Sequence, residues 1–356
     1  MRFGQMILSA SPSPDEDSQR IDQLLEQGCL AEQLDFDDIW LTEHYFTGES
    51  VYNDPLLFAA TLAARTSRVR IGFAVLQLTL HHPVRLAVQL SLLDNLSKGR
   101  IDVGLGRGSL YNEYEFVGYG LRSADSRERM DEAMEVLTGA WADTPLHHQG
   151  KFFQVQLPQI RPRAYQQPHP PLWRSAVSAE SFTQCGRAGI PILAARLSLG
   201  ALKERWQLYA EGLQAGGHDE ATRQKRLQQA ALWRNVYVAD SDAQAEDELS
   251  SFLVQTREHM NHLRAEHNPK DFEVDPAMLN PWTDPTASES DALKFTLEGG
   301  SVYGTAQRVR EELAALREAG VQHVLCQFGF GTMPHEYVIA SMQRFGEQVA
   351  PRLRDV

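Results

Sequence analysis

Cysteine is scarce in this chain: only Cys29, Cys185 and Cys326 occur among 356 residues. Three widely separated cysteines with no C-x-x-C pair argue against a disulfide framework or a structural zinc, and favour a reducing compartment. Long apolar runs are lacking as well, and none approaches the roughly 18 residues that a membrane span needs. The opening MRFGQMILSASPSPDEDSQR turns acidic after a short apolar run, which is not a signal-peptide pattern. Together these absences predict a soluble, cytoplasmic protein. Positive charge is in deficit: 34 Lys and Arg against 47 Asp and Glu give a net charge of −13. That balance disfavours nucleic acid or an anionic membrane as the main partner, while leaving room for one local basic pocket. No fixed-period repeat is present.

What is present is an alternation of apolar strand and amphipathic helix, about eight times over. Strands are expected at 2–8, 37–42, 69–76, 101–105, 171–177, 230–238 and 321–328, with another in IPILAAR from Ile190. Helices are expected between them. Apolar strands alternating with helices predict a parallel sheet, and this count and length favour a single closed (β/α)8 barrel of the TIM type over residues 1–356. Two irregular stretches interrupt the pattern. Residues 143–171 are rich in Pro, Gln and His and predict an excursion with a hairpin near 150–160. Residues 263–292, with Pro269, Pro276, Pro281 and Pro285, predict a mobile loop.

The most informative stretch is HHPVRLAVQLSLLDNLSKGRIDVGLGRG, residues 81–108. Its helix, from Pro83 to about Leu96, carries Leu86, Leu90 and Leu93 on one face and Val88, Leu92 and Leu96 on another. Two apolar faces suggest burial against both the chain's own core and something else. Lys98-Gly99 reads as the stop, with Gly99 suited to a left-handed cap. A strand follows and ends in Gly106-Arg107-Gly108, where an arginine between glycines can offer its fork to a phosphate. The glycines do not form a dinucleotide fingerprint, because Ser109 stands at the sixth position of G-x-G-x-x-G.

In a barrel, chemistry gathers at the C-terminal strand ends. Glu43-His44 falls at such an end, where a histidine can move protons and an adjacent carboxylate could tune it. Ser178 and Ser181 open a helix directly after a strand, which suits either simple capping or an anion site. His81-His82 and His259-His262 have spacings that tempt a metal reading, but no carboxylate or cysteine pattern completes them, so no metal is expected.

WLTEHYF (40–46), the block from 81 to 108 and IASMQRFGEQVAPRL (339–353) together resemble the bacterial luciferase-like flavin monooxygenases, most closely the α-type subunit. The resemblance runs nearly end to end. It implies a barrel that binds reduced FMN (FMNH2), supplied by a separate flavin reductase. The bound flavin reacts with O2 to give a 4a-hydroperoxide, which oxidises an aldehyde, ketone or similar small organic substrate. His44 matches the family's catalytic histidine and Glu43 its neighbour. Arg107 matches the arginine at the flavin phosphate, Ser178 and Ser181 the phosphate-binding helix, and Ala74-Val75 a bond that is cis in the luciferase subunit. The family's dimer packs helices like 55–66 and 83–96 across a two-fold axis, which implies a homodimer here. Three departures stand out. Gly106 replaces a reactive cysteine and leaves space beside the flavin, Tyr45 replaces the second histidine of a pair, and Val177 replaces a glutamate. These argue against light emission and leave the substrate open. Two other readings remain: a deazaflavin-dependent oxidoreductase on the same barrel, and a non-catalytic flavin-binding or partner subunit, which retention of His44 disfavours.

Overall fold

A computed structural model describes residues 1–8 and 10–354. In chain order the first elements are β1 (Arg2–Ile7), α1 (Asp17–Gln33), β2 (Asp38–Leu41), α2 (Pro55–Arg65), β3 (Arg70–Gln77), α3 (Pro83–Ser97), β4 (Ile101–Gly106), α4 (Glu113–Gly118) and α5 (Ser126–Ala140). A hairpin, β5 (Leu146–Gln149) and β6 (Gln154–Leu157), precedes β7 (Leu172–Ser175), α6 (Ala179–Arg187), β8 (Ile192–Ala195), α7 (Leu199–Ala215) and α8 (Glu220–Gln229). The last part holds β9 (Ala231–Val238), α9 (Asp242–His267), α10 (Glu289–Gly300), β10 (Ser301–Gly304), α11 (Ala306–Glu318), β11 (His323–Gln327) and α12 (His335–Arg344).

Eight strands, β1-β2-β3-β4-β7-β8-β9-β11, are all parallel and close on β1 through the register Arg2↔His323 to Met6↔Gln327. This is the expected TIM-type barrel. One cluster of buried side chains lies between strands and helices, and a second lies inside the barrel. Inside, Trp40 and Trp173 meet edge to face at 5.1 Å, a geometry worth roughly 0.5–1.5 kcal/mol beyond area burial. Trp40 fits because β3 carries Gly72, where a Cβ would come within 2.5 Å of the indole. At the bottom of the barrel, fully buried Asp38 accepts from Trp40 Nε1 at 2.6 Å and pairs with His323 Nε2 at 2.9 Å and Arg2 at 2.7 Å. Burial alone would raise the Asp38 carboxyl, but His323 and Arg2 hold it down at about 2.

The helix at 83–97 buries Leu86, Leu90 and Leu93 and leaves Val88, Leu92 and Leu96 at 38%, 49% and 58% exposure, so both apolar faces exist as anticipated. Its stop differs slightly: Lys98 takes the left-handed cap at φ 58°, and Gly99 follows at φ 83°.

Several boundaries move. The hairpin spans 146–157, earlier than expected, because the turn falls at Gly150–Phe153. The strand expected from Ile190 begins at Ile192. The stretch expected as one loop from 263 to 292 is shorter: α9 runs on to His267, and α10 starts at Glu289 with the Ser288 hydroxyl as its cap. What lies between is tied down. Arg257 donates to the carbonyls of Trp282, Asp284 and Ala287, and Asn268 bonds Tyr114 N–H and Tyr111 C=O. Strand β10 is additional to the barrel, since Asn235 pairs with Ser301 on one edge and Gln327 on the other. Among the described residues no helix is long and apolar enough to cross a membrane.

Candidate active site

Beyond β2, which ends at Leu41, Thr42–Tyr45 lead into the barrel mouth. Glu43 turns inward and is buried. It accepts from the Gln77 N–H and the Tyr45 hydroxyl, and stands 2.8 Å from His81 Nε2. Its own carbonyl accepts from Gln77 Nε2 at 2.7 Å, which locks the ends of β2 and β3 together. Burial pushes this carboxyl up, but the charge of His81 and the bonds from His81, Tyr45 and Gln77 leave it below its ordinary value. His81 is raised in turn, its burial outweighed by Glu43. The expectation that Glu43 tunes His44 is therefore corrected. The two side chains have separate partners, and Glu43 serves His81 instead.

His44 has other partners. Its Nδ1 lies 3.1 Å from Glu115 Oε1 and 3.7 Å from Glu49 Oε2. Glu115, fully buried on α4, also accepts from Tyr45 N at 3.1 Å and Gln77 Nε2 at 2.9 Å. Burial lowers the basicity of the His44 ring, but the charges of Glu49 and Glu115 and the Glu115 bond override this and raise it to about 9. The two carboxylates thus favour the protonated ring at neutral pH. The ligand atoms of His44, Glu49 and Glu115 lie within 4.8 Å of one another, a spacing that could suit a metal ion. Glu115 and Glu49 both face the ring Nδ1, so the same trio also suits holding a proton on His44.

On the neighbouring strand β3, the Ala74–Val75 peptide bond is cis, at an irregularity of register between β3 and β4. Both side chains pack on the interior cluster with Trp233. Gly106 ends β4 beside them. A Cβ there would stand 2.4 Å from Val75 Cγ2, so the position is filled by Val75 rather than left as space, which corrects the expectation. Arg107 follows, its carbonyl fixed by the Thr79 hydroxyl at 2.6 Å. Burial and the charges of Arg127 and Arg174 depress its basicity, with Asp131 as a partial offset. None of these three arginines has a side-chain ion pair among the described residues. Arg174 ends β7 opposite Leu105, and Arg127 opens α5. Next to Arg174, α6 begins. Ser178 caps it by accepting from Ser181 N at 3.2 Å, while Ser181 Oγ donates to Ser178 O at 2.7 Å and accepts from Val177 N at 3.0 Å. Both hydroxyls therefore order the helix start, whose remaining N–H groups face outward with Val177 81% exposed.

An arginine cluster with no side-chain ion pair among the described residues, beside a helix N-terminus and an apolar platform, fits a planar cofactor that ends in a phosphate. A sequence profile of the luciferase-like monooxygenases matches residues 1–323. The chain belongs to that family. This luciferase-like, flavin-dependent monooxygenase is 26% identical over 360 residues to the oxygenase component of the flavin-dependent trigonelline monooxygenase of Acinetobacter baylyi, covering 99% of this chain and 95% of that one. It is 30% identical over 220 residues to the alkanal monooxygenase alpha chain of Photorhabdus luminescens, covering 62% and 60%. In three dimensions it matches the monooxygenase RslO1 of Streptomyces bottropensis with a TM-score of 0.81 at 26% identity, covering 99% and 100%.

Residues 43 and 44 follow β2, 106 and 107 end and follow β4, and 178 and 181 follow β7 at the start of α6, whereas 74 and 75 lie within β3. Sequence reasoning placed Gln77 at a strand end without giving it a role, missed Glu49, Glu115, Arg127 and Arg174, and weighed His81 only as a metal ligand. The acidic Glu113-x-Glu115 pair in an otherwise apolar stretch was the one available signal for Glu115.

Proposed function

We propose that this luciferase-like monooxygenase binds reduced FMN, delivered by a separate reductase, and uses it with O2 to oxygenate a small organic substrate such as an aldehyde or ketone. The cluster of Arg107, Arg127 and Arg174, only partly offset by Asp131, carries this reading, because it asks for a phosphate-sized anion at the flavin platform. Bound reduced flavin would supply the electrons for splitting O2, one atom going to substrate and one to water. The chain's own residues do the rest. Arg107 and the start of α6, ordered by Ser178 and Ser181, hold the phosphate. Ala74, Val75 and Gly106 back the ring. His44, its Nδ1 held by Glu115 and Glu49, donates a proton from Nε2, while Glu43 keeps His81 and Gln77 in place as a positioning residue. The exposed Leu57, Val88, Leu92 and Leu96 form the face through which α2 and α3 would pair in a homodimer.

Comparing reduced FMN with reduced riboflavin tests the cofactor. FMN should bind at least a hundredfold tighter, and Arg107→Gln should remove most of that preference. Tighter binding of a reduced deazaflavin cofactor would favour hydride transfer instead. Turnover surviving in His44→Ala would remove the proton-donor role.

A further inference from the structure

A second group of positive charges stands at the barrel mouth, apart from the phosphate cluster. Arg196 directly follows β8 with a left-handed φ of 53°, a conformation non-glycine residues seldom adopt. Its guanidinium carbon lies 4.9 Å from the Trp233 ring centre and 5.8 Å from that of Trp282. Among the described residues no carboxylate or carbonyl accepts from this guanidinium. Arg264 stacks 4.5 Å over Tyr111 and spends its donors on the neutral amides of Asn112, at 3.0 Å, and Asn261, at 3.5 Å. Burial and the nearby charge of Arg264 both weaken Arg196's hold on its proton, against partial offsets from Tyr111 and Glu49. Two neighbouring guanidiniums with no ion-pair partner cost stability, and in a chain of net charge −13 a counter-charge would have been easy to place.

These groups share the reaction space. Glu49 acts electrostatically on both His44 and Arg196, and Arg264 acts on His44 as well. Trp233 packs against the interior cluster alongside Ala74 and Val75, and its buried Nε1 has no acceptor. Flavin is an insufficient explanation for the cluster. FMN has one phosphate, and the charged neighbours of Arg107 (Arg127, Arg174 and Asp131) include none of those around Arg196.

We infer that the organic substrate carries a carboxylate, gripped by the planar fork of Arg196 with Arg264 behind it, its apolar body lying along Trp233 toward His44. A guanidinium held flat by indoles is preorganised for two parallel N–H···O bonds, which a carboxylate matches and a neutral amide does not. The inference rests on the monooxygenase reading but is tested apart from it.

With FMN binding measured first, the loaded wild-type protein is titrated calorimetrically with benzoate, phenylacetate and hexanoate, each against its own primary amide. At least one acid should bind ten or more times tighter than its amide. In Arg196→Met that ratio should fall below about two while FMN affinity stays within twofold, and Arg196→Lys should lie between. If no acid outbinds its amide in the wild type, the inference is overturned. An equal loss of FMN affinity in Arg196→Met would also overturn it, by giving the arginine to the flavin ring. Failure of FMN to bind would instead overturn the cofactor reading, and the acid–amide comparison on the flavin-free wild type would still decide this one.

Discussion

Replacing Glu49 by glutamine isolates one charge at the reactive histidine. Glu49 meets His44 Nδ1 at 3.7 Å, and its Oε2 has no hydrogen-bond partner, so the substitution removes charge while little else is lost. The rise of the His44 ring from 6.5 to about 9 corresponds to about 3 kcal/mol, since one pKa unit is about 1.4 kcal/mol. Two unit charges about 4 Å apart interact by about 1 kcal/mol in water and about 4 kcal/mol near a protein surface. The His44 and Glu49 side chains are 17% and 15% exposed, so partial screening puts this pair at about 1–2 kcal/mol. Glu49→Gln should therefore lower the His44 pKa by about one unit. Adding Glu115→Gln should take it below 6.5, because burial then acts unopposed. Selectively labelled histidine observed by NMR, with His44→Gln for assignment, reads the titration directly. Stability follows with a definite sign. The folded-state value is raised, so the His44 contribution is complete below the unfolded value of 6.5 and is lost as pH rises through about 9. Urea midpoints at pH 6 and 9.5 should differ less in the variant than in the wild type. Turnover that needs the imidazolium should fall above pH 9, and the falling limb should move to lower pH in Glu49→Gln. A wild-type ring titrating near 6.5, or an unchanged titration in the variant, would refute the reasoning.

Introducing a side chain at Gly106 should overpack the flavin platform. Gly106→Cys puts a Cβ 2.4 Å from Val75 Cγ2 and should cost about 1–3 kcal/mol in chemical denaturation, with Val75→Ala in the same chain recovering part of it. Asp38→Asn should cost about 3–5 kcal/mol, because it leaves His323 and Arg2 around a neutral amide at the barrel bottom. A melting temperature within 2 °C of wild type would contradict that. Leu92→Glu with Leu96→Glu, both on the exposed face of α3, should shift light-scattering mass from dimer to monomer while leaving the circular dichroism spectrum unchanged.

The barrel was legible because its strands are short, nearly all-apolar runs and its helices carry one buried stripe, and both patterns are local. The sites that escaped notice depend on distance along the chain. His44 and Glu115 are 71 positions apart and meet only because α4 folds over the barrel mouth. Sequence adjacency pointed instead to Glu43, whose carboxylate meets His81, Tyr45 and Gln77. Strand β10 escaped for a different reason. Ser301–Gly304 has four residues and sits directly after α10, too short a segment for period-two alternation to stand out. The 263–292 stretch looked like free loop because prolines punctuate it. Its order comes from Arg257 and Asn268, side chains on and just beyond α9 that reach loop and barrel backbone.

Gly106 shows why a departure from a family pattern has to be read together with its neighbours. Taken alone, glycine in place of cysteine suggests a vacancy where a thiol would be. In the folded chain Val75 Cγ2 occupies the place a Cβ would need, and Ser175 Oγ lies 3.5 Å from it on the other side. The platform is therefore closed, and the two positions are coupled: a larger residue at 106 requires a smaller one at 75. The same coupling bears on substrate choice. If the flavin platform is full, selectivity has to come from the opposite wall, where Arg196, Trp233 and Trp282 stand. Exchanging Val75 and Gly106 for alanine and cysteine should then change flavin affinity while leaving the preference among substrates in place.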